Sequence, residues 1–332
     1  MDTVLRDNVH DMNHRLSLGA LFTALLLAAF LVTGGGAQPN SVKKIADGVW
    51  FREGDMSQGH SNNVIIEMKD YLIVVDANFP SGARLAMADA KRLSPKPVKY
   101  VFITHHHGDH DYGAAVWTAA GATTFAYKAV VDEMNRYEPA RWQAAAKSRP
   151  DVAAMKRDAP EKPQQTFDKS PYILKDSTRE VQFLFFGWAH TRGDGFAWLP
   201  KERVLCTGDA STNGPYNNTA DANLGNWPNV LAAAEKLGPQ FVLPGHGPSG
   251  GPEILTGQAN FMIELIKAVK QAVAQRKKLD DIVTMKDGKP VTTSINLPAS
   301  ADHWVNNSLA GHVVNAYNEV SQNKPVGDIP HP

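Results

Sequence analysis

A single cysteine, Cys206, is all that the 332-residue chain contains. No internal disulfide can form, so stability must come from an apolar core or a bound group rather than from cross-links. Cys206 closes the apolar run Val204-Leu205-Cys206, where the ordinary role of a cysteine is that of a small buried residue. Net charge is lacking as well, since 34 Lys and Arg face 34 Asp and Glu. Without a basic stripe the chain is a poor candidate for nucleic-acid binding, and a small-molecule partner is expected. The composition leaves the oligomeric state open. No internal repeat and no Pro/Gly/Ser linker separates two halves. One domain is therefore expected, and an apolar share of 43% suffices for its core.

The chain has one long apolar run, and it precedes that domain. Arg15 is followed by Leu16 to Val32, mostly Leu, Ala, Phe and Val, and then by Thr33-Gly34-Gly35-Gly36-Ala37-Gln38-Pro39. A basic residue, an apolar stretch and small residues at its end are the parts of a secretory signal peptide. Residues 1–37 are read as that signal, with cleavage near Ala37 and Met12 as an alternative start. The mature protein, 38–332, is then periplasmic or secreted. A retained anchor is the other reading, but a run of roughly 17 residues is short for a bilayer. No cysteine follows it closely, which argues against a lipid-modified N-terminus.

Short strands are expected at Val49–Phe51, Asn63–Glu67 and Tyr71–Asp76. A helix capped by Ser81 is expected to run through Ala83 to Leu93, and Pro95 and Pro97 stop it. Val98–Ile103 reads as a buried strand, Asp111–Ala120 as a helix and Thr123–Ala126 as a strand. Residues 128–169 read as an Ala-rich, charged helical insertion. Strands resume at Val181–Phe186, Gly195–Leu199, Arg203–Cys206 and Phe241–Leu243, with a helix at Trp227–Leu237. From 254 to 320 the pattern is helical: a long amphipathic helix to Leu279, then Trp304–Val320.

The chemistry is concentrated in Thr104-His105-His106-His107-Gly108-Asp109-His110, directly after the strand 98–103. His105 and His107 are two apart, so extended backbone puts both imidazoles on one side. His106 points the other way and is read as a non-ligand. A glycine then lets the chain turn and bring Asp109 and His110 round. One histidine on an apolar strand is usually a satisfied core residue. Four ligand-type residues within six positions are too costly to desolvate without a metal or dense hydrogen bonding. His190, Asp209 and His246 each follow a later apolar run, close to a glycine, where strands deliver residues to a common edge.

In that order, Thr104-His105-x-His107-x-Asp109-His110, His190, Asp209 and His246 resemble the signature of the metallo-β-lactamase superfamily. Asp76 at a strand end and Pro244-Gly245-His246-Gly247 strengthen the likeness, which runs from about Ile45 to His246. The resemblance implies an α/β architecture, a four-layer αβ/βα sandwich with metals at one edge. It also implies a ligand set. His105, His107 and His190 hold one zinc ion, Asp109, His110 and His246 hold a second, and Asp209 bridges them. Iron and manganese suit the same donors.

Two such metals can hold a hydroxide that attacks a carbonyl carbon, with Asp109 orienting it and passing a proton to the leaving group. An aspartate at position 209 is similar to thioester hydrolases and lactonases of the family rather than to the zinc β-lactamases that carry cysteine there. An exported hydrolase of thioesters, lactones or esters is therefore expected. A β-lactamase is the alternative, because His110 and export fit one β-lactamase group. Phosphodiester cleavage lacks a basic substrate patch. A non-catalytic metal-binding protein on the same fold is the reading from another class. The polar loop Ser211–Asn218 and the segment Phe51–Ser61, with His60, are the candidate pocket walls. The insertion 128–169 is a candidate lid.

Overall fold

A computed structural model describes residues 39–305 and 307–329; the expected signal peptide, 1–37, lies outside the described residues. Strands form wherever β-branched and aromatic residues cluster, and they assemble into two sheets. The first has seven strands in chain order: β1 (Val42–Ala46), β2 (Val49–Arg52), β3 (Asn63–Glu67), β4 (Leu72–Val75), β5 (Val98–Ile103), β6 (Thr123–Tyr127) and β7 (Gln165–Phe167). Strands β1 to β4 are antiparallel and β4 to β7 parallel. The second sheet has the order β12 (Phe241–Pro244), β11 (Val204–Gly208), β10 (Gly195–Leu199), β9 (Glu180–Phe185), β8 (Tyr172–Lys175). Only β11 and β12 run parallel in it.

Side-chain alternation explains how the sheets stack. In β4, Ile73 and Val75 face the second sheet, while Leu72 and Val74 face helices. In β11, Val204 and Cys206 join the inter-sheet core, and Leu205 faces the opposite way. Every one of these is buried, so the strands read as continuous apolar runs rather than as an in-out pattern. Phe102, Phe125 and Phe183 fill the gap between the sheets, with ring centroids 4.7 to 5.3 Å apart. The Cys206 thiol lies in this layer, where burial pushes its pKa up and leaves it inert.

Helices cover both outer faces. Over the first sheet lie α1 (Pro80–Leu93), α3 (Ala114–Ala119) and α4 (Lys128–Tyr137), while α5 (Ala140–Ser148) and α6 (Pro150–Ala153) pack on Phe79 and on Tyr112, which follows α2 (Gly108–Asp111). Over the second lie α7 (Trp227–Glu235), α8 (Glu253–Ala274), α9 (Leu279–Ile282) and α10 (Leu309–Gln322). The order is helix, sheet, sheet, helix: the expected four-layer αβ/βα sandwich.

Several local expectations need correction. Helix α1 begins at Pro80 behind Phe79, with no side-chain cap. The Ser81 hydroxyl donates to Asp151 instead, at 2.6 Å. Residues Gln165–Phe167 are a strand of the first sheet, so the helical part of the insertion ends earlier than 169. The C-terminal region is not helical throughout. A hairpin, β13 (Val283–Lys286) with β14 (Lys289–Thr293), interrupts it, and Trp304 ends a short 3-10 turn separate from α10.

That turn matters to the site. Trp304 lies across α8 at Gly257, where a Cβ would overlap the indole. Its Nε1 donates to the Thr212 carbonyl at 3.0 Å, inside the loop that follows Asp209. Gly257→Ala is therefore expected to destabilise the protein by about 1–2 kcal/mol. Overpacking costs about 1–3 kcal/mol and outweighs the gain of about 1 kcal/mol in helix propensity. A urea midpoint above that of the wild type would refute this reading.

His312 on α10 is buried, with Nδ1 3.0 Å from Thr219 Oγ1 and Nε2 unpartnered. Burial lowers its pKa to about 4, against about 6.5 in an unfolded chain. Below pH 6.5 the unfolded chain takes up a proton that the folded one refuses, so this contribution to stability falls as pH drops towards 4. His312→Gln is expected to remove that slope. Between pH 7 and 4 the wild type should lose about 3 kcal/mol relative to the variant, read from parallel urea titrations. Parallel curves would mean that the imidazole does not resist protonation.

Candidate metal centre

The functional side chains come from the carboxyl ends of strands in both sheets. His105, His107, Asp109 and His110 follow β5, and Asp209 and His246 immediately follow β11 and β12. His190 lies on the loop after β9. Because β4 and β5, like β11 and β12, are parallel neighbours, their ends open at the same edge of the sandwich. Gly245 makes room there: a Cβ would run into the Asp209 carboxylate.

The structure brings all seven ligand-type residues together. His105, His107 and His190 form one group, and Asp109, His110 and His246 form another, each with its ligand atoms within 4.8 Å of one another. His107 Nδ1 lies 2.9 Å from His190 Nε2. In the second group, Asp109 Oδ2 is 3.0 Å from His246 Nε2 and 3.5 Å from His110 Nε2. Asp209 lies between them. Its Oδ1 is 3.3 Å from His110 Nε2, while Oδ2 is 3.5 Å from His246 Nε2 and 3.7 Å from His190 Nε2.

Each imidazole is held by its other nitrogen or by the chain next to it. His110 Nδ1 is 2.8 Å from Asp76 Oδ2, and Asp76 Oδ1 accepts from both the backbone N–H and the hydroxyl of Thr104. Asp76 adopts a left-handed backbone (φ 67°) to do so, the kind of local strain that collects at functional sites. His190 Nδ1 donates to the Asn218 carbonyl. His107 Nε2 donates to Asp221 Oδ2 at 2.8 Å.

The electrostatics are those of a buried, mutually dependent set. Burial drives the His105 pKa far down and that of His190 to about 3, so both are neutral donors. Burial also acts to lower His110 and His246, but the crowded carboxylates of Asp209 and Asp109 override it, and His246 rises to about 9. Burial acts to raise Asp109 and Asp209. The neighbouring imidazoles hold Asp109 near about 2 and Asp209 well below the usual range. His105 Nε2 and Asp209 Oδ1 remain buried without a hydrogen-bond partner. Orphaned polar atoms are costly, and imidazoles gathered with ionised carboxylates are the donor types that a divalent cation needs. The residues therefore fit a metal.

A cavity of about 400 Å³ opens over the group, lined in part by Met56, Asp109, Arg141, Tyr216, Asn218 and His246. Tyr216 and Asn218 belong to the polar loop, and Met56 to the segment 51–61, so both contribute to the walls. His60, expected among the pocket walls, is buried with Nε2 2.8 Å from Ser81 Oγ and is not part of the cavity lining. His106 points away from the main group, stacked on Tyr137 and 3.4 Å from Asp221. With His107 and Asp221 it forms a further set of ligand-type atoms.

Sequence reasoning missed Asp221 and Arg141. Neither follows an apolar run, and the only available signal was an acidic residue in a polar loop and a basic one in the insertion.

Asp76→Ala is expected to leave the fold intact and to weaken the metal affinity of the His110 group by roughly 10–100-fold, as loss of an orienting carboxylate does. Competition with a chromophoric chelator measures this. An unchanged affinity would show that Asp76 does not orient His110.

Comparison with known proteins gives consistent likenesses. A family model described as the metallo-beta-lactamase superfamily matches residues 56–246. A curated relative, the metallo-beta-lactamase type 2 of Bacteroides fragilis, is 25% identical over 114 residues. That stretch is 33% of this chain and 45% of the relative, so the match spans less than half of the relative's length. Among solved structures, the metallo-beta-lactamase FIM-1 from Pseudomonas aeruginosa in its mono-zinc form superposes with a TM-score of 0.55. It is 23% identical and covers 69% of this chain and 97% of its own. A metallo-beta-lactamase from Pontibacter korlensis gives 0.54 at 20% identity, over 67% and 98% of the two chains. At such identities these structures speak for the fold alone.

Proposed function

We infer the reaction from one premise: the chain belongs to the metallo-beta-lactamase superfamily, and it is a metal-dependent hydrolase. Within that class we read it as a dinuclear zinc enzyme that cleaves a carbonyl substrate, a thioester, lactone or ester. The observation that carries this reading is the position of Asp209, whose two oxygens reach towards His110 on one side and His190 and His246 on the other.

His105, His107 and His190 are the donors for one ion; Asp109, His110 and His246 are the donors for the other, with Asp209 shared. When bound, two zinc ions supply a water acidic enough to attack at neutral pH and a Lewis acid for the carbonyl oxygen. The side chains do the rest. Asp109 is the most exposed of the carboxylates here, at 24% against 7% for Asp209, and it lines the cavity. Its carboxylate is the group placed to accept the proton of the attacking water and return it to the leaving group. Tyr216 and Asn218 line the same cavity and carry a hydroxyl and an amide suited to orienting a substrate oxygen. No serine, cysteine or lysine lines that cavity among the described residues, so no covalent nucleophile is called for.

A second reading, hydrolysis of β-lactam amides, is favoured by the relatives, which are named as metallo-beta-lactamases. A panel of a thioester, a lactone, an aryl ester and a cephalosporin, offered to zinc-loaded protein, separates the two. Turnover of the first three ahead of the cephalosporin is expected; cephalosporin turnover alone reverses the order. Asp209→Ala is expected to reduce bound zinc from two equivalents to one or fewer. It should also lower kcat/KM at least roughly 100-fold, in line with losing a preorganised charged group. Two retained equivalents with full activity would remove Asp209 from its shared role.

A further inference from the structure

A second cavity, of about 510 Å³, is larger than the one of about 400 Å³ over the metal group and shares no lining residue with it. It is a trough between α8 and the start of α7. On α8 its wall is one helical stripe that begins at Met262 and ends at Ala274. Residues three and four apart share a helix face, and twelve residues of helix span roughly 18 Å. Facing the stripe are Leu224, Gly225 and Pro228, from the loop before α7 and its first turn.

The lining is divided by chemistry. The first half of the stripe is apolar, with Met262, Ile263 and Ile266, and Lys267, Lys270 and Gln271 follow it. No Asp or Glu lines the trough among the described residues. Lys267 Nζ lies 2.9 Å from Glu264 Oε2, whereas Lys270 has no carboxylate within salt-bridge distance among the described residues. Past Gly225, Ile266 and Lys270 the trough continues into a smaller cavity of about 270 Å³, which Glu319 and Lys324 also line. The Glu319 carboxylate accepts from the backbone N–H groups of Leu224, Gly225 and Val326. Three ammonium groups thus meet two carboxylates, and one positive charge is left over beside an apolar channel.

We propose that this trough is a binding site for a fatty acid: the carboxylate pairs with Lys270, and the alkyl chain lies along Ile266, Met262 and Ile263. The volume falls in the range of small-molecule sites, and the single surplus charge matches a monocarboxylate rather than a phosphate. The shape favours a slender ligand over a protein partner. Leu224 and Met262 are buried at the floor, and Ile263 is the one large apolar side chain of the trough that is strongly exposed, at 48%. The apolar surface is therefore recessed, whereas a protein interface would need a broad patch. The flexible stem of Lys270 lets the ammonium follow the headgroup while its methylenes cover the chain. The site is independent of the hydrolase reading.

The test is calorimetric titration of zinc-loaded protein with dodecanoate, decanoate, acetate and dodecyltrimethylammonium, each below its micelle concentration. One equivalent of dodecanoate is expected to bind, roughly tenfold more tightly than decanoate, because two buried methylenes are lost. Acetate and the alkylammonium are expected to show no binding at the same concentrations. Ile263→Asp puts a charge where the chain lies and is expected to weaken dodecanoate roughly tenfold or more. Lys270→Gln is expected to weaken it about threefold to fivefold, the worth of one exposed ion pair. Both positions are exposed, and an unchanged circular dichroism spectrum shows that each variant is folded.

Three results overturn the proposal. One is a wild type that does not bind dodecanoate, or that binds the alkylammonium as tightly. Another is wild-type affinity in either variant, which would place the fatty acid elsewhere, with its carboxylate on the metal as the obvious site. The third is a wild-type dimer in sedimentation that Ile263→Asp dissociates, which would make the trough a contact between two copies of the chain. None of these touches the hydrolase reading, which the substrate panel tests separately.

Discussion

Everything at this site depends on one constraint: imidazoles and carboxylates buried together must satisfy each other. Desolvation alone would strip the charge from every member. Proximity reverses that for Asp109 and Asp209, which stay ionised, and for His110 and His246, which are pushed upward. His105 and His190 remain neutral. The result is a set of carboxylate and imidazole donors gathered in one place by the fold before any ligand arrives. Such preorganisation has to be held by the surrounding chain, and here that means both sheets.

The sandwich does this by ending four key strands at one edge. Parallel pairing of β4 with β5 links Asp76 to the histidine cluster through Thr104. Parallel pairing of β11 with β12 sets Asp209 beside His246, with glycine at 245 leaving the space between them. The layer of Phe102, Phe125 and Phe183 fixes the distance between the sheets, and so the distance between the two halves of the site. The C-terminal layer contributes from outside. Trp304 lies on α8 and holds the Thr212 carbonyl, and Gln258 on the same helix bonds Asn217. The loop behind Asp209 is thus braced by residues 41 and 92 positions away.

How much of this was legible in the sequence follows from the physics of each part. Central strands were readable because both their faces are apolar, so β3, β4, β5 and β10 stand out as runs. Ligand-type residues at the ends of such runs were readable because nothing in core packing calls for them. Edge strands β1, β7 and β8 were not seen, since half of their residues face solvent and carry no apolar pattern. The β13–β14 hairpin did leave a signal. Asp287 and Gly288 both have positive φ (50° and 72°) in its two-residue turn, and Asp-Gly favours that turn. The helical pattern on either side masked it. Ser81 illustrates the opposite error: a residue of the right type for a cap was used by a distant carboxylate instead. Asp221 and Arg141 were beyond reach, because their role arises from a pairing across 80 positions that no local pattern encodes.

Asp221 then ties two properties of the site together. One of its oxygens takes the His107 N–H, which leaves Nδ1 as the nitrogen that faces His190. The same oxygen, with its partner, clamps the guanidinium of Arg141, which lines the cavity. The orientations of the His107 imidazole and of the Arg141 guanidinium therefore share one buried group. Strengthening the Arg141 pair draws electron density from the carboxylate and weakens its hold on His107; loosening the pair does the reverse. A change at Asp221 therefore acts on both the guanidinium on the cavity wall and the imidazole of the first group. Because Arg141 comes from the insertion, changes in the packing of α4 and α5 reach the metal centre by a path of only two side chains.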